Sequence, residues 1–285
     1  MAPSPPSSSV QQAKESLGLR LREIRKDSGL TARALAAAAG WHESKTSRIE
    51  NGKTSPSDSD IRVWTRICHA ERQAEDLIAT ARGIESMHVD WRRLERSGLR
   101  RVQESVLPLF ERTRCFRIYQ SWVMPGLLQT ADYTRAVLNT VVALRDAPDH
   151  DMEDAVAVRM ARQQVIHAGH QRFAFLVEEW VLRTLIGDAD IMAGQLAHLI
   201  SAAYRPSVSL GIIPMGSERG HGWPTESFVV FDQAQVSVEL VSANLTVTQP
   251  SEIAEYVRTF AELAGIAVYG AAARALITAA IDSFE

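Results

Sequence analysis

Apolar positions in the first eighty residues recur at helical spacing. Leu17, Leu21 and Ile24 stand three or four apart, with Arg20, Arg22 and Arg25 between them, the stripe of a helix that buries one face. Gly29 ends this helix and Thr31 can cap the next. From 32 to 39 every residue but Arg33 is Ala or Leu, so a neighbouring helix can approach closely. Gly40 closes that run, Trp41 and His42 follow, and a third stretch, ESKTSRIEN at 43–51, stops at Gly52. Two short helices joined by a glycine-containing turn form a helix-turn-helix. Residues 60–69 place Ile61, Trp64 and Ile67 three apart, and 74–81 supplies Leu77 and Ile78. Five helices ending near 82 are therefore expected to close an all-α core, with Trp64 and Cys68 inside it.

Beyond 82 the pattern becomes mixed. Residues 114–123, 173–177, 208–213, 227–231 and 236–241 are rich in aromatic and branched side chains and are bounded by Pro, Gly, Asp or Gln, so each is expected to be a strand. Residues 188–204 read as a helix, and after Pro250, a good first-turn residue, so do 253–263 and 271–281. The expectation is an α+β domain with helices grouped about one sheet. The glycine-rich loop GSERGHGWPTE at 216–226 falls between two of the strands, as a plain hairpin loop or as the rim of a pocket.

Length and charge sharpen this division. A chain of 285 residues exceeds the usual single domain, and the expected boundaries are a disordered Pro/Ser-rich leader at 1–13, a head at 14–82 and a larger domain at 83–285. The net charge is only −3, yet residues 14–55 carry nine Lys/Arg against five Asp/Glu. Any affinity for nucleic acid must then come from that local basic patch. The leader has no apolar run of the kind a signal peptide needs, and the most apolar tract, 263–281, contains Arg274, so neither export nor a membrane span is expected. Cys68 and Cys115 are 47 residues apart without metal-ligand spacing, as suits a reducing cytoplasm.

A helical wheel gives the third helix its meaning. Thr46 and Ile49 share one side, while Glu43, Ser44, Ser47, Arg48 and Asn51 occupy the other. Such a compact, hydrogen-bonding and partly cationic face suits the major groove: Arg pairs with guanine, hydroxyls reach several base edges, and Lys45 with main-chain amides can hold phosphates.

The run LREIRKDSGLTARALAAAAGWHESKTSRIENGKTSP resembles the Xre type of lambda-repressor-like helix-turn-helix domain, without gaps. The resemblance implies that 32–39 is the scaffold helix and 43–51 the recognition helix, with Glu43, Ser44, Ser47 and Arg48 at base-reading positions. It also implies that Asn51 and Lys53 contact phosphate, and that Arg25 and Glu50 form a partly buried ion pair. Two positions depart from the pattern: Ala32 replaces a polar residue, which leaves a phosphate contact open, and His42 replaces the usual small cap, which leaves the N-cap of the recognition helix open. The runs RFAFLVEEWVLRTLIGDADIMAGQL, VSLGIIP, VELVSANLTVTQPSEI and AELAGIAVYGAAARALI resemble the antitoxin-like C-terminal domain of a large group of actinomycete regulators, over most of 84–281.

Catalytic signals are weak. His167 and His170 stand three apart beside Gly169 with no third metal ligand nearby, and an exposed pair is the simpler reading. Glu178 and Glu179 are adjacent, so in a strand they point to opposite faces and have structural or surface roles. The basic run WRRLERSGLRR at 91–101 reads as a packed connector or dimer helix. No P-loop, dinucleotide or metalloprotease motif occurs. The sequence as a whole points to a cytoplasmic, nucleoid-associated regulator without cofactor, metal or catalysis, binding double-stranded DNA as a homodimer. Its larger domain would bind a ligand or a small partner protein encoded nearby. The alternative is an antitoxin-like protein that sequesters such a partner and binds DNA for autoregulation.

Overall fold

In a computed structural model, which describes residues 8–84, 88–90, 98–145, 147–220, 223–241 and 243–284, the chain divides into two units. The first unit runs through His88 and takes in Thr246–Glu252. Its helix α1 (Ser8–Asp27) begins inside the expected 1–13 leader, so residues 8–13 are helical and the remainder of that leader lies outside the described residues. Then come α2 (Ala32–Ala39), α3 (Glu43–Glu50), α4 (Asp58–Ile67), a single 3-10 turn at Glu71–Gln73, and α5 (Ala74–Gly83).

Local chemistry sets these boundaries. Thr31 accepts a hydrogen bond from the Ala34 amide at 3.1 Å, and Gly40 in left-handed conformation ends α2. Ser57 and Asp60 form a reciprocal capping box at the start of α4. Leu21, Leu35, Ile49, Ile61 and Trp64 are buried together, and the Trp64 indole donates to the Leu21 carbonyl at 3.1 Å. The distant segment adds two ties to α5: Gln249 Nε2 donates to Thr80 Oγ1 at 3.3 Å and the Ser251 amide to Asp76 Oδ1 at 3.0 Å. Nothing in the local sequence of α5 announces these partners.

The second unit is built on a mixed sheet, of which His88 and Thr246–Val247 fall within the first. Its strands are β1 (His88–Asp90), β2 (Cys115–Gln120), β3 (Arg172–Glu178), β4 (Val208–Ile213), β5 (Phe228–Phe231), β6 (Gln235–Glu239) and β7 (Ala243–Val247), in the order β1-β7-β6-β5-β2-β3-β4. β3 runs parallel to both β2 and β4, while β5 is antiparallel to β2 and β6. Stacked Phe116 and Phe173, 4.7 Å apart, centre its core. β2 is shorter than the expected 114–123: the Asp232 carboxylate takes the Arg114 amide at one end, and at the other the Ser121 amide goes to Ser227 Oγ at 2.9 Å.

The helices here are α6 (Leu99–Ser105), α7 (Leu107–Arg112), α8 (Ala131–Arg145), α9 (Met152–Arg162), α10 (Glu179–Arg183), α11 (Ala189–Ala202), α12 (Pro250–Ile266) and α13 (Gly270–Asp282). α13 packs on β4 and on α11. The 91–101 run falls partly outside the described residues; its end enters α6, which the Asp151 carboxylate caps through the Leu99 and Arg100 amides, both at 3.0 Å. The apolar tract at 263–281 is split between α12 and α13, and Val268 in the break bridges to Ile212. Among the described residues no helix is long and apolar enough to cross a membrane.

Candidate nucleic-acid interface

Close backbone contact fixes α3 in the head. A Cβ placed on Gly18, within α1, would lie 2.5 Å from the Ile49 carbonyl oxygen and 2.7 Å from that of Glu50. Only glycine lets α1 cross the end of α3 at this distance, despite its poor helix propensity. Gly52, at φ 64°, then turns the chain away against Lys14 and Glu15.

Buried charge holds the same end. Arg25 Nε donates to Glu50 Oε1 at 2.5 Å and Arg25 Nη2 to Oε2 at 3.1 Å, while Nη1 donates to the Leu30 carbonyl at 2.6 Å. Both side chains are buried, so a fork of two parallel bonds and one carbonyl replaces most of the lost hydration. Arg22 adds a looser contact to Glu50 at 3.8 Å.

The N-terminal end of α3 is held differently. His42 is an N-cap: its extended backbone opens the helix and its Nδ1 accepts the Ser44 amide at 3.3 Å. The departure from a small cap therefore keeps the capping bond, supplied by an imidazole nitrogen instead of a hydroxyl. The Ser44 hydroxyl lies 2.8 Å from the same nitrogen. Lys45 is drawn inward, with its ammonium 2.6 Å from Asp60 Oδ1 and 4.5 Å from the centre of the Trp41 ring. Burial alone would raise the Asp60 carboxyl, but hydrogen bonds from Lys45 and Ser57 outweigh it and hold the group below the usual carboxylate range.

What remains outward is a compact polar face. Glu43, Ser44, Ser47, Arg48 and Asn51 are exposed, while Thr46, Ile49 and Glu50 are buried. Asn51 Nδ2 donates to the Ser47 carbonyl at 2.7 Å, which orients its amide along the helix end. The amides of Lys53 and Thr54 both bond to the Arg48 carbonyl, at 2.9 and 3.3 Å, and so fix the exposed Lys53 beside the end of α3. Of the cations near this face, Arg48 and Lys53 have no ion pair among the described residues, whereas Lys45 does. Arg33, in the first turn of α2, is likewise exposed and unpaired among the described residues. Its signal in the sequence was a lone charge on an Ala/Leu helix.

Outside the head, the candidate groups are occupied. His167 Nδ1 accepts from Arg205 Nη1 at 2.8 Å, and His170 Nδ1 lies 3.2 Å from the Ala168 carbonyl, so the two rings serve separate contacts. Glu178 and Glu179 straddle the junction of β3 and α10, both buried. Glu178 accepts from Tyr119 Oη at 2.7 Å and from Arg219 at 3.0 and 2.5 Å; Glu179 accepts the Met215 amide at 3.0 Å and Arg183 at 3.4 Å. Burial, with Glu178 beside it, raises the Tyr119 phenol far above its ordinary value, and hydrogen bonding to Glu178 raises the Arg219 guanidinium.

Two family models match separate stretches of the chain. Residues 16–78 match a helix-turn-helix domain, which covers α2, α3 and their supporting helices. Residues 111–279 match a domain of unknown function, DUF5753. Neither the curated proteins nor the solved structures gave a match. The head is therefore a helix-turn-helix DNA-binding domain, and since the second match covers more than half of the chain, the protein belongs to the DUF5753 family.

Proposed function

We propose that this protein is a sequence-specific transcriptional regulator with an Xre-type, lambda-repressor-like five-helix head. It places α3 in the major groove as a homodimer on cytoplasmic, nucleoid DNA. Arg48 reads a guanine edge, Ser44 and Ser47 read neighbouring bases, Glu43 accepts from an exocyclic amine, and Asn51, Lys53 and Arg33 hold phosphates. Lys45 acts indirectly, by bracing α3 against α4. The DUF5753 domain binds an effector, a ligand or a small partner protein, and carries out recognition without catalysis.

The single observation that carries this reading is the sorting of charge on α3. Its inward carboxylate and lysine are neutralised within the protein, while Arg48 and the adjoining Lys53 are exposed and uncommitted among the described residues. Any packed helix pairs its inward charges; what suits a groove is that the unpaired cations stand beside the exposed hydroxyls and amide of Ser44, Ser47 and Asn51 on one compact face.

Selection of bound sequences from random duplexes by the full chain tests the proposal. One enriched motif is expected, with affinity that falls steeply as salt rises because phosphate contacts release counterions. No enrichment, or salt-insensitive binding, would overturn it. If binding to a small co-expressed protein persists where no DNA motif is enriched, the antitoxin-like reading takes its place.

A further inference from the structure

Described residues between β4 and β5 and the second half of α12 line a half-open pocket of about 270 Å³ inside the larger unit. Arg219 and Trp223 contribute from the loop, and Thr259, Glu262, Leu263 and Ile266 from the helix. Its frame is pinned on several sides. Arg219 is locked by two bonds to the buried Glu178 and lies 5.7 Å over the Trp180 ring. The other end of the loop is held where the Ser121 hydroxyl donates to the Thr225 carbonyl at 3.1 Å and the Ser121 amide to Ser227 Oγ at 2.9 Å. Tyr256 Oη, on α12, donates to Glu226 at 2.8 Å, and its ring packs edge-on against Phe228 at 5.0 Å. These contacts fix the described residues on either side of the pocket, which lowers the ordering cost of binding.

The lining specifies a chemistry. The Arg219 charge is already balanced by Glu178, so it offers remaining N–H donors without acting as an anion trap. Glu262, by contrast, is an exposed carboxylate without a direct ion pair among the described residues; Arg258, one turn earlier, is bonded to Glu255 and acts on Glu262 only at longer range. The Thr259 hydroxyl has no hydrogen-bond partner among the described residues. Leu263 and Ile266 supply an apolar wall, and the Trp223 indole, 78% exposed, is an aromatic surface that the protein itself leaves uncovered.

We infer that this cavity binds a small apolar molecule bearing one amine. Its hydrocarbon body lies on Leu263, Ile266 and Trp223, and its ammonium sits by Glu262 within reach of the Thr259 hydroxyl. An indole face next to a carboxylate favours a cation and repels an anion of the same shape. This gives the effector of the proposed regulator a chemical class, and it rests on that reading for its regulatory meaning alone.

The test compares three probes of one shape on the full chain by titration calorimetry: 1-naphthylmethylamine, 1-naphthylmethanol and 1-naphthoic acid. The amine should bind tightest and the acid weakest. Glu262→Gln, at an exposed position, should weaken the amine by roughly fivefold, the scale of an exposed ion pair, and leave the alcohol unchanged. Ile266→Trp, which fills the cavity, should abolish binding of all three. Operator binding without probe should be the same in Glu262→Gln as in the parent chain, so failure of the ligand site is separable from failure of the DNA reading. No saturable binding at millimolar probe, an acid that binds as tightly as the amine, or an amine indifferent to Glu262→Gln would each overturn the inference.

Discussion

Replacing Arg25 by Met should damage the head more than replacing Glu50 by Gln, and the two changes should not add. In Arg25→Met the Glu50 carboxylate stays buried with only Arg22 near it, at 3.8 Å. Stranding one member of a buried pair costs about 3–5 kcal/mol. In Glu50→Gln, Arg25 keeps its 2.6 Å bond to the Leu30 carbonyl, and the new amide still offers an oxygen to Nε, so a loss nearer 1–3 kcal/mol is expected. The double variant strands no carboxylate, and its loss should fall short of the sum by about 1–3 kcal/mol. Because the chain has two units, a single melting curve would blend their transitions. Amide hydrogen exchange of the full chain resolves them: peptides from α1 and α3 in Arg25→Met should exchange roughly two to four orders of magnitude faster, while peptides from β2 and β3 stay at parent rates. Additivity within about 0.5 kcal/mol would refute the account of the pair, as would equal loss of protection in the sheet.

Other consequences are as specific. Gly18→Ala gains about 1 kcal/mol of helix propensity but drives a methyl into two backbone carbonyls, so the head should lose roughly 1–2 kcal/mol net, whereas Gly194→Ala, in α11 with open space around it, should stabilise; exchange of α1 and α11 peptides reads both signs. Thr46 buries a hydroxyl with no hydrogen-bond partner among the described residues, so the near-isosteric Thr46→Val should raise protection of α3 by about 1 kcal/mol, and a loss would mean the hydroxyl has a partner. The Asp60 carboxyl is depressed in the folded head, so its contribution is fully present above the unfolded value of about 3.9 and is lost as pH falls through the lower folded value. An acid titration of α3 and α4 amides by NMR should show that part of the acid sensitivity removed in Asp60→Asn.

The sequence exposed what depends on neighbours in the chain and hid what does not. The stripe Leu17, Leu21, Ile24 and the punctuation by Gly29, Gly40 and Gly52 all act within a turn or two, so α1 to α3 could be read directly. The same holds for β2 to β6, whose apolar runs are bounded by turn residues. β7 was missed because only its two end residues are buried, which leaves no alternation to see. α8 and α9 were missed although their composition favours helix: α8 buries Tyr133, Thr134 and Leu138, a set mixed in polarity, so the apolar stripe is broken. At the interface, the wheel separated the exposed from the buried positions of α3. It gave no sign that Lys45 is taken up by Asp60, fifteen residues on, or that His42 can cap through Nδ1. The Tyr119–Glu178–Arg219 network joins residues 59 and 41 positions apart and had no local signal at all.

The most direct test of the central claim is a comparison of Arg48→Ala with Lys53→Ala on the selected operator and on random duplex at matched salt. The account predicts that Arg48→Ala loses about 1–3 kcal/mol on the operator while binding random DNA nearly as the parent does, and that Lys53→Ala weakens both alike and lowers the salt slope by about one. Equal losses on operator and random DNA for Arg48→Ala would contradict the assignment of the outer face of α3 to base reading.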